Sequence, residues 1–97
     1  MKYSIIIPVF NEEETLEELL KKVSKQRENF NLEIIIINDG STDSTKEIIS
    51  KNKNLVDHSI DLETNIGKGG AVKEGLKFVS GDYVLFQDAD LEYDPSD

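Results

Sequence analysis

The chain contains no cysteine. Disulfides and thiolate metal sites are therefore excluded, and the absence fits a cytoplasmic protein. No apolar run approaches the roughly 20 residues that a membrane span needs. The stretch Ile5 to Ile7, which follows Met1-Lys2-Tyr3, is too short for the apolar part of a signal peptide. It also lacks a small-residue cleavage site. Basic residues are scarce: 11 Lys and Arg stand against 20 Asp and Glu, a formal net charge of −9. Nucleic acid, whose phosphates demand a basic stripe, is excluded as a partner. An anionic diphosphate remains compatible with such a surface if a divalent cation bridges the two. The one histidine, His58, lies in the least patterned part of the chain and reads as structural or exposed.

Two glycine patterns are missing as well. A dinucleotide-binding domain needs G-x-G-x-x-G after its first strand, so that pyrophosphate can approach a helix N-terminus. Here that turn is Pro8-Val9-Phe10-Asn11, followed by Glu12, Glu13 and Glu14. Three carboxylates at the positive end of a helix would repel a phosphate. No G-x-x-x-x-G-K-[ST] segment occurs either, which excludes a P-loop.

What is present is an alternation of short apolar runs and helical periodicities within 97 residues, enough for one small domain. Ser4-Ile5-Ile6-Ile7, closed by Pro8, reads as a strand buried on both faces. Leu16, Leu19, Leu20 and Val23 mark one face of a helix. Asn11 is its expected N-cap, with Glu14 at the capping-box position, and Glu13 and Glu14 are expected to serve its dipole. Leu32 to Ile37 is a second strand, and Ser41 to Ser44 supply caps for a short helix that turns Ile48 and Ile49 inward. Leu55 to Leu62 reads as a third, more exposed strand. Val72, Gly75, Leu76 and Val79 mark a third helix, and Asp82 to Phe86 a fourth strand after the Gly81-Asp82 turn. The order βαβαβαβ implies parallel pairing with right-handed crossovers. The expected fold is α/β, a Rossmann-like three-layer α/β/α sandwich with sheet order 3-2-1-4. Ligands of such sheets bind at the carboxyl ends of the strands, near the reversal of strand order.

Those ends carry the polar residues. Asp88-Ala89-Asp90 places two carboxylates one residue apart after the fourth strand. Such a pair suits Mg²⁺ or Mn²⁺, which accept few protein oxygens and fill the remaining positions with water and phosphate. Alone the pattern is also what a solvated turn would show; its position beside other polar strand ends favours the cation. Asp39, after the second strand, can accept from a ribose hydroxyl or a base N–H, or can serve a local turn. Asn65-Ile66-Gly67-Lys68-Gly69-Gly70 can form an anion nest with Lys68 adding charge, or can allow close helix–sheet packing, which Gly75 one turn on favours.

Four segments together resemble family 2 glycosyltransferases of the GT-A fold. They are Ile5 to Glu12, Asn38-Asp39-Gly40-Ser41-Thr42-Asp43, Asn65 to Val72, and Gly81-Asp82-Tyr83-Val84 leading to Asp88-Ala89-Asp90-Leu91-Glu92. Within that family the chain is most similar to polyprenyl-phosphate hexosyltransferases such as dolichyl-phosphate mannose or glucose synthases. The resemblance implies that Pro8, Phe10 and Glu12 line the base and ribose, with Ile37 and Asp39 as the other wall. It also implies that Asp88 and Ala89 meet the nucleotide phosphates, that Asp90 is the main metal ligand, and that Glu92 lies near the metal. The implied partners are a UDP- or GDP-sugar and a lipid-phosphate acceptor, and the implied cofactor is Mg²⁺ or Mn²⁺. A full-length parent would work at the cytoplasmic face of a membrane.

The chain stops soon after these aspartates, so the expectation is the N-terminal nucleotide-sugar-binding part of such an enzyme, inactive by itself because the acceptor site and any general base are absent. Alternatives are a family member with a saccharide or other acceptor, and a nucleotide-binding or assembly module that never catalyses. With order 3-2-1-4 the fourth strand is an uncovered edge, and association of two chains through Tyr83 to Phe86 is expected.

Overall fold

The computed structural model of the chain describes residues 1–89; Asp90 and Glu92, named above, lie outside the described residues. Four parallel strands, β1 (Lys2–Val9), β2 (Asn31–Asp39), β3 (His58–Leu62) and β4 (Tyr83–Phe86), form one sheet of order β3-β2-β1-β4. Three helices connect them: α1 (Leu16–Lys25), α2 (Thr45–Lys51) and α3 (Lys68–Leu76). The expected architecture and strand order are those observed.

The isoleucine runs explain the layering. In register, Ile5 lies beside Ile34, Ile6 beside Ile35 and Ile7 beside Ile36. Because side chains alternate along a strand, Ile5, Ile7, Ile34 and Ile36 project to one face and Ile6, Ile35 and Ile37 to the other. The first set meets Leu16, Leu19, Leu20 and Val23 of α1 and Ile49 of α2; the second meets Ala71 of α3. Both faces are covered, which is why these strands read as continuous apolar runs. Gly75 is the closest helix–sheet contact: a Cβ there would sit 2.6 Å from Ile37 Cδ1 and 3.0 Å from Ile6 Cγ2. The packing role expected for that glycine is therefore present.

Several local expectations differ from the structure. The helix α1 begins at Leu16, because the Glu12 carbonyl accepts from the Thr15 and Leu16 amides in a separate turn. Asn11 is consequently not its N-cap, and Glu17 and Glu18, not Glu13 and Glu14, occupy its first turn. The third strand is shorter than expected, since Lys53–Leu55 forms a 3-10 turn and pairing starts only at His58. Leu76, expected inward, ends α3 with 45% of its surface exposed, whereas Val79 in the following turn packs on the core.

The fold also opens the sheet where the ligand rule says to look. Helices α1 and α2 lie on one face and α3 on the other, so the chain changes sides between β1 and β4. Pairing of β4 with β1 ends at Ile6–Phe86, with the Gln87 amide donating to the Ile6 carbonyl at 3.0 Å. Pro8, two residues on, turns its missing N–H toward the same side, where β4 has already ended. A central strand thus tolerates a proline, and no ladder bond is lost. The gap is the floor of a cleft.

Candidate functional site

Pro8, Val9, Phe10, Glu12, Asp39, Asn65, Gly67, Lys68, Asp88 and Ala89 line a cleft of about 250 Å³ at the carboxyl ends of the strands. Of the residues singled out in the sequence, Pro8, Phe10, Glu12, Asp39, Lys68, Asp88 and Ala89 are brought together. Ile37 is not among them. Its side chain is fully buried against Gly75 on the α3 face, so it belongs to the core and offers the cleft no surface.

Asp39 is the organising residue of this cleft. It is 3% exposed, and its Oδ1 accepts from the Ile66 amide at 2.8 Å. Its Oδ2 accepts from the Gly67 amide at 3.0 Å and from Asn65 Nδ2 at 3.2 Å. The carboxylate thereby satisfies backbone donors ahead of α3 that the helix cannot pair itself. Gly67, directly before α3, has φ of 92°, a conformation in which a side chain is strained. Together these contacts set where Lys68, the first residue of α3, projects. Asn65 was not identified as a site residue from sequence; it heads the glycine segment, but its partner lies 26 positions away.

The loop after β1 is tied to the loop after β2 by reciprocal contacts. Asn11 adopts φ of 50°, and its Oδ1 accepts from the Thr42 amide at 2.8 Å and the Asp43 amide at 3.3 Å. Glu13 accepts from the Ser44 amide at 2.9 Å, so it serves the start of α2 and not that of α1. The Glu12 amide donates to Thr45 Oγ1 at 2.9 Å. Asp43 caps α2 by accepting from the Thr45 amide at 2.8 Å. Burial alone would raise the Asp43 pKa, but the hydrogen bonds from Thr45 and the Glu13 amide outweigh it and lower it below the ordinary value. Residues 11–13 and 41–45 therefore form one wall, and Glu12 is held at its rim.

Asp88 closes the other side. It follows β4, its side chain is 65% exposed, and Lys68 Nζ pairs with its Oδ1. Ala89 is buried against α1, and its carbonyl accepts from Thr15 Oγ1 at 3.1 Å. Among the described residues no group of three His, Cys, Asp or Glu side chains is placed to hold a metal ion. Asp88 is nevertheless a hard oxygen donor facing the cleft. Mg²⁺ and Mn²⁺ accept one or two carboxylates when phosphate oxygens complete their shell, so this donor chemistry fits such an ion.

Residues 4–97 match the profile of Glycosyl transferase family 2. The chain belongs to that family. It is 39% identical over 101 residues to the undecaprenyl-phosphate 4-deoxy-4-formamido-L-arabinose transferase of Salmonella choleraesuis (strain SC-B67). That alignment covers 99% of this chain and 31% of the relative. The chain thus spans about a third of the length of the curated relatives it matches. Among solved structures, TarS 1-349 of S. aureus in complex with UDP superposes with a TM-score of 0.82 at 38% identity, covering 93% of this chain and 28% of that one. Glucosyl-3-phosphoglycerate synthase from Mycobacterium tuberculosis, in complex with Mn²⁺, UDP and glucosyl-3-phosphoglycerate, superposes with a TM-score of 0.76 at 28% identity. Here the coverage is 92% of this chain and 33% of that one. Family 2 membership and the GT-A type of parallel sheet agree with the resemblance carried by the four sequence segments.

Proposed function

We propose that this family 2 chain is the donor-binding part of a glycosyltransferase that moves a hexose from a nucleoside diphosphate sugar to a polyprenyl phosphate. The observation that carries the reading is the cleft at the strand ends, with Asp39 on one side and Asp88 on the other. The relative acting on undecaprenyl phosphate supports the lipid acceptor, and the solved complexes with UDP support the donor class. In this reading a lipid acceptor would bring the full-length protein to a membrane surface, with the cytoplasmic face the expected side; no helix among the described residues is long and apolar enough to cross a membrane.

In this reading Pro8 and Phe10 pack against the base, Asp39 accepts from it, and Glu12 faces the ribose. Asp88, with Asp90 and Glu92 from the segment outside the described residues, would hold Mg²⁺ or Mn²⁺. The ion, when bound, neutralises the departing diphosphate. The role of this chain is to position the donor. The acceptor site and any general base come from the rest of a longer protein, so the 97-residue chain by itself transfers no hexose.

The hydrogen bonding of Asp39 favours uridine over guanosine. A carboxylate offers about four acceptor positions, and three are taken by Asn65, Ile66 and Gly67. Among the described residues one remains open, on Oδ1. The single imide N–H of uracil matches it. The adjacent N1–H and N2–H donors of guanine would need both oxygens. Calorimetric titration of UDP and GDP, with and without Mn²⁺, tests the proposal. UDP should bind at least about tenfold more tightly than GDP, and binding should depend on Mn²⁺ and fall in Asp88→Asn. Equal affinity for the two removes the uridine assignment; no binding of either removes the donor-binding function.

A further inference from the structure

The Lys68–Asp88 pair occupies an unusual place. Pro8, Lys68 and Asp88 line the cleft described above and also a second cavity of about 340 Å³, whose other walls are Gly69, Val72, Phe86 and Gln87. The ion pair is the shared wall between the two. Its backbone is held at both ends. Lys68 begins α3, whose approach is anchored on Asp39, and Asp88 lies between Gln87, bonded to Ile6, and Ala89, bonded to Thr15. The two side chains themselves lie at the surface, with 64% and 65% of their area exposed. An ion pair that exposed adds little to stability and is readily exchanged for another partner.

We propose that Lys68 stands in for the cation at Asp88 and forms a removable partition across the cleft. The inference rests on the nucleotide-sugar reading above. With no donor bound, Lys68 neutralises a carboxylate that would otherwise face Glu12 and Asp39 across an acidic cleft. A divalent cation arriving with a diphosphate competes for the same Asp88 oxygen and displaces the ammonium. The released Lys68, still fixed by its backbone beside the cleft, turns to the phosphates. The two cavities then join into one channel, from the base-binding side to the region bounded by Phe86 and Gln87. Free metal is disfavoured, because it must evict Lys68 and gains no phosphate in return. Metal and nucleotide together are favoured, because the displaced charge finds a new partner.

The test uses Mn²⁺ and UDP as probes on the 97-residue chain and on Lys68→Met, Lys68→Arg and Asp88→Asn. Free Mn²⁺ is followed by electron paramagnetic resonance, and UDP by calorimetry. In the absence of nucleotide, Lys68→Met should bind Mn²⁺ roughly three- to tenfold more tightly than the unaltered chain, and Lys68→Arg should not. With Mn²⁺ present, Lys68→Met should bind UDP more weakly, because the phosphates lose the released ammonium. Adding Lys68→Met to Asp88→Asn should change Mn²⁺ affinity no further, as expected when two residues act through one contact. If Mn²⁺ affinity in Lys68→Met is unchanged or weaker while UDP still binds with Mn²⁺, the partition is overturned and the donor site stands. If no variant binds UDP with Mn²⁺, the nucleotide-sugar reading fails and takes the partition with it.

Discussion

Glu33 accepts hydrogen bonds from both the amide and the hydroxyl of Ser80, at 2.8 and 2.7 Å, and so joins the start of β2 to the turn before β4. Ser4 Oγ donates to the same carboxylate at 2.8 Å and accepts from the Gly81 amide at 2.9 Å. Lys2 Nζ lies 3.6 Å away. This cluster sits at the amino ends of the strands, opposite the cleft, and is a structural clamp.

The clamp makes stability depend on pH. Burial by itself raises the Glu33 pKa, but the hydrogen bonds from Ser80 and Ser4 and the charge of Lys2 outweigh it, taking the group from 4.5 to about 2. A lowered folded-state pKa stabilises the fold above the unfolded value, and that contribution is lost as pH falls from about 4.5 through about 2. Glu33→Ala should cost about 2–3 kcal/mol at neutral pH, since Ser80 and Ser4 lose their acceptor. Urea midpoints measured from pH 7 to pH 2 should converge for the two proteins at the acid end. A constant difference across the range would refute the assignment.

Gly40 should tolerate no side chain. Its φ is 69°, and a Cβ would lie 2.4 Å from the Asn65 nitrogen and 2.5 Å from the Thr64 carbonyl carbon. These are backbone atoms that cannot swing aside. Gly40→Ala should therefore destabilise by about 2–4 kcal/mol and weaken UDP binding by displacing the segment that Asp39 holds. Gly69→Ala is the control: nothing lies within 4 Å of a Cβ there, and its stability should stay within about 1 kcal/mol or rise. Denaturant midpoints of both variants decide the matter.

The β4 edge should drive association of the 97-residue chain. Among the described residues β4 pairs only with β1, and Tyr83, Leu85 and Phe86 are all about half exposed or more. Unpaired strand edges with apolar side chains template pairing with another chain. Light scattering across a concentration series should show self-association that Leu85→Lys reduces. A monomer at every concentration argues against the edge as an interface.

Much of this protein was legible in the isoleucine runs and the strand-end polar residues. Continuous apolar strands separated by helical periodicities admit few topologies once parallel pairing and right-handed crossovers apply. The location of the cleft followed, because Pro8, Asp39 and Asp88 sit at or beyond strand ends that the topology gathers on one edge. Helix boundaries were less legible. Asn11 has the composition of an N-cap, yet its side-chain Oδ1 already accepts from the Thr42 and Asp43 amides, which local sequence does not reveal. Ile37 illustrates the same limit: alternation along β2 sends it to the α3 face, away from the cleft beside its neighbour Asp39.

By itself the sequence determined the layers, the sheet order and the family, because those depend on hydrophobic periodicity and on motifs contiguous in the chain. Tertiary structure alone decided which donors occupy Asp39, that Glu33 meets Ser80, and that Lys68 meets Asp88. Each of these contacts spans 20 or more positions. Each depends on how closely two strand ends or loops approach, which local propensity does not encode. The cleft exists because β4 ends short of Pro8, and that becomes visible only once the two strands lie side by side.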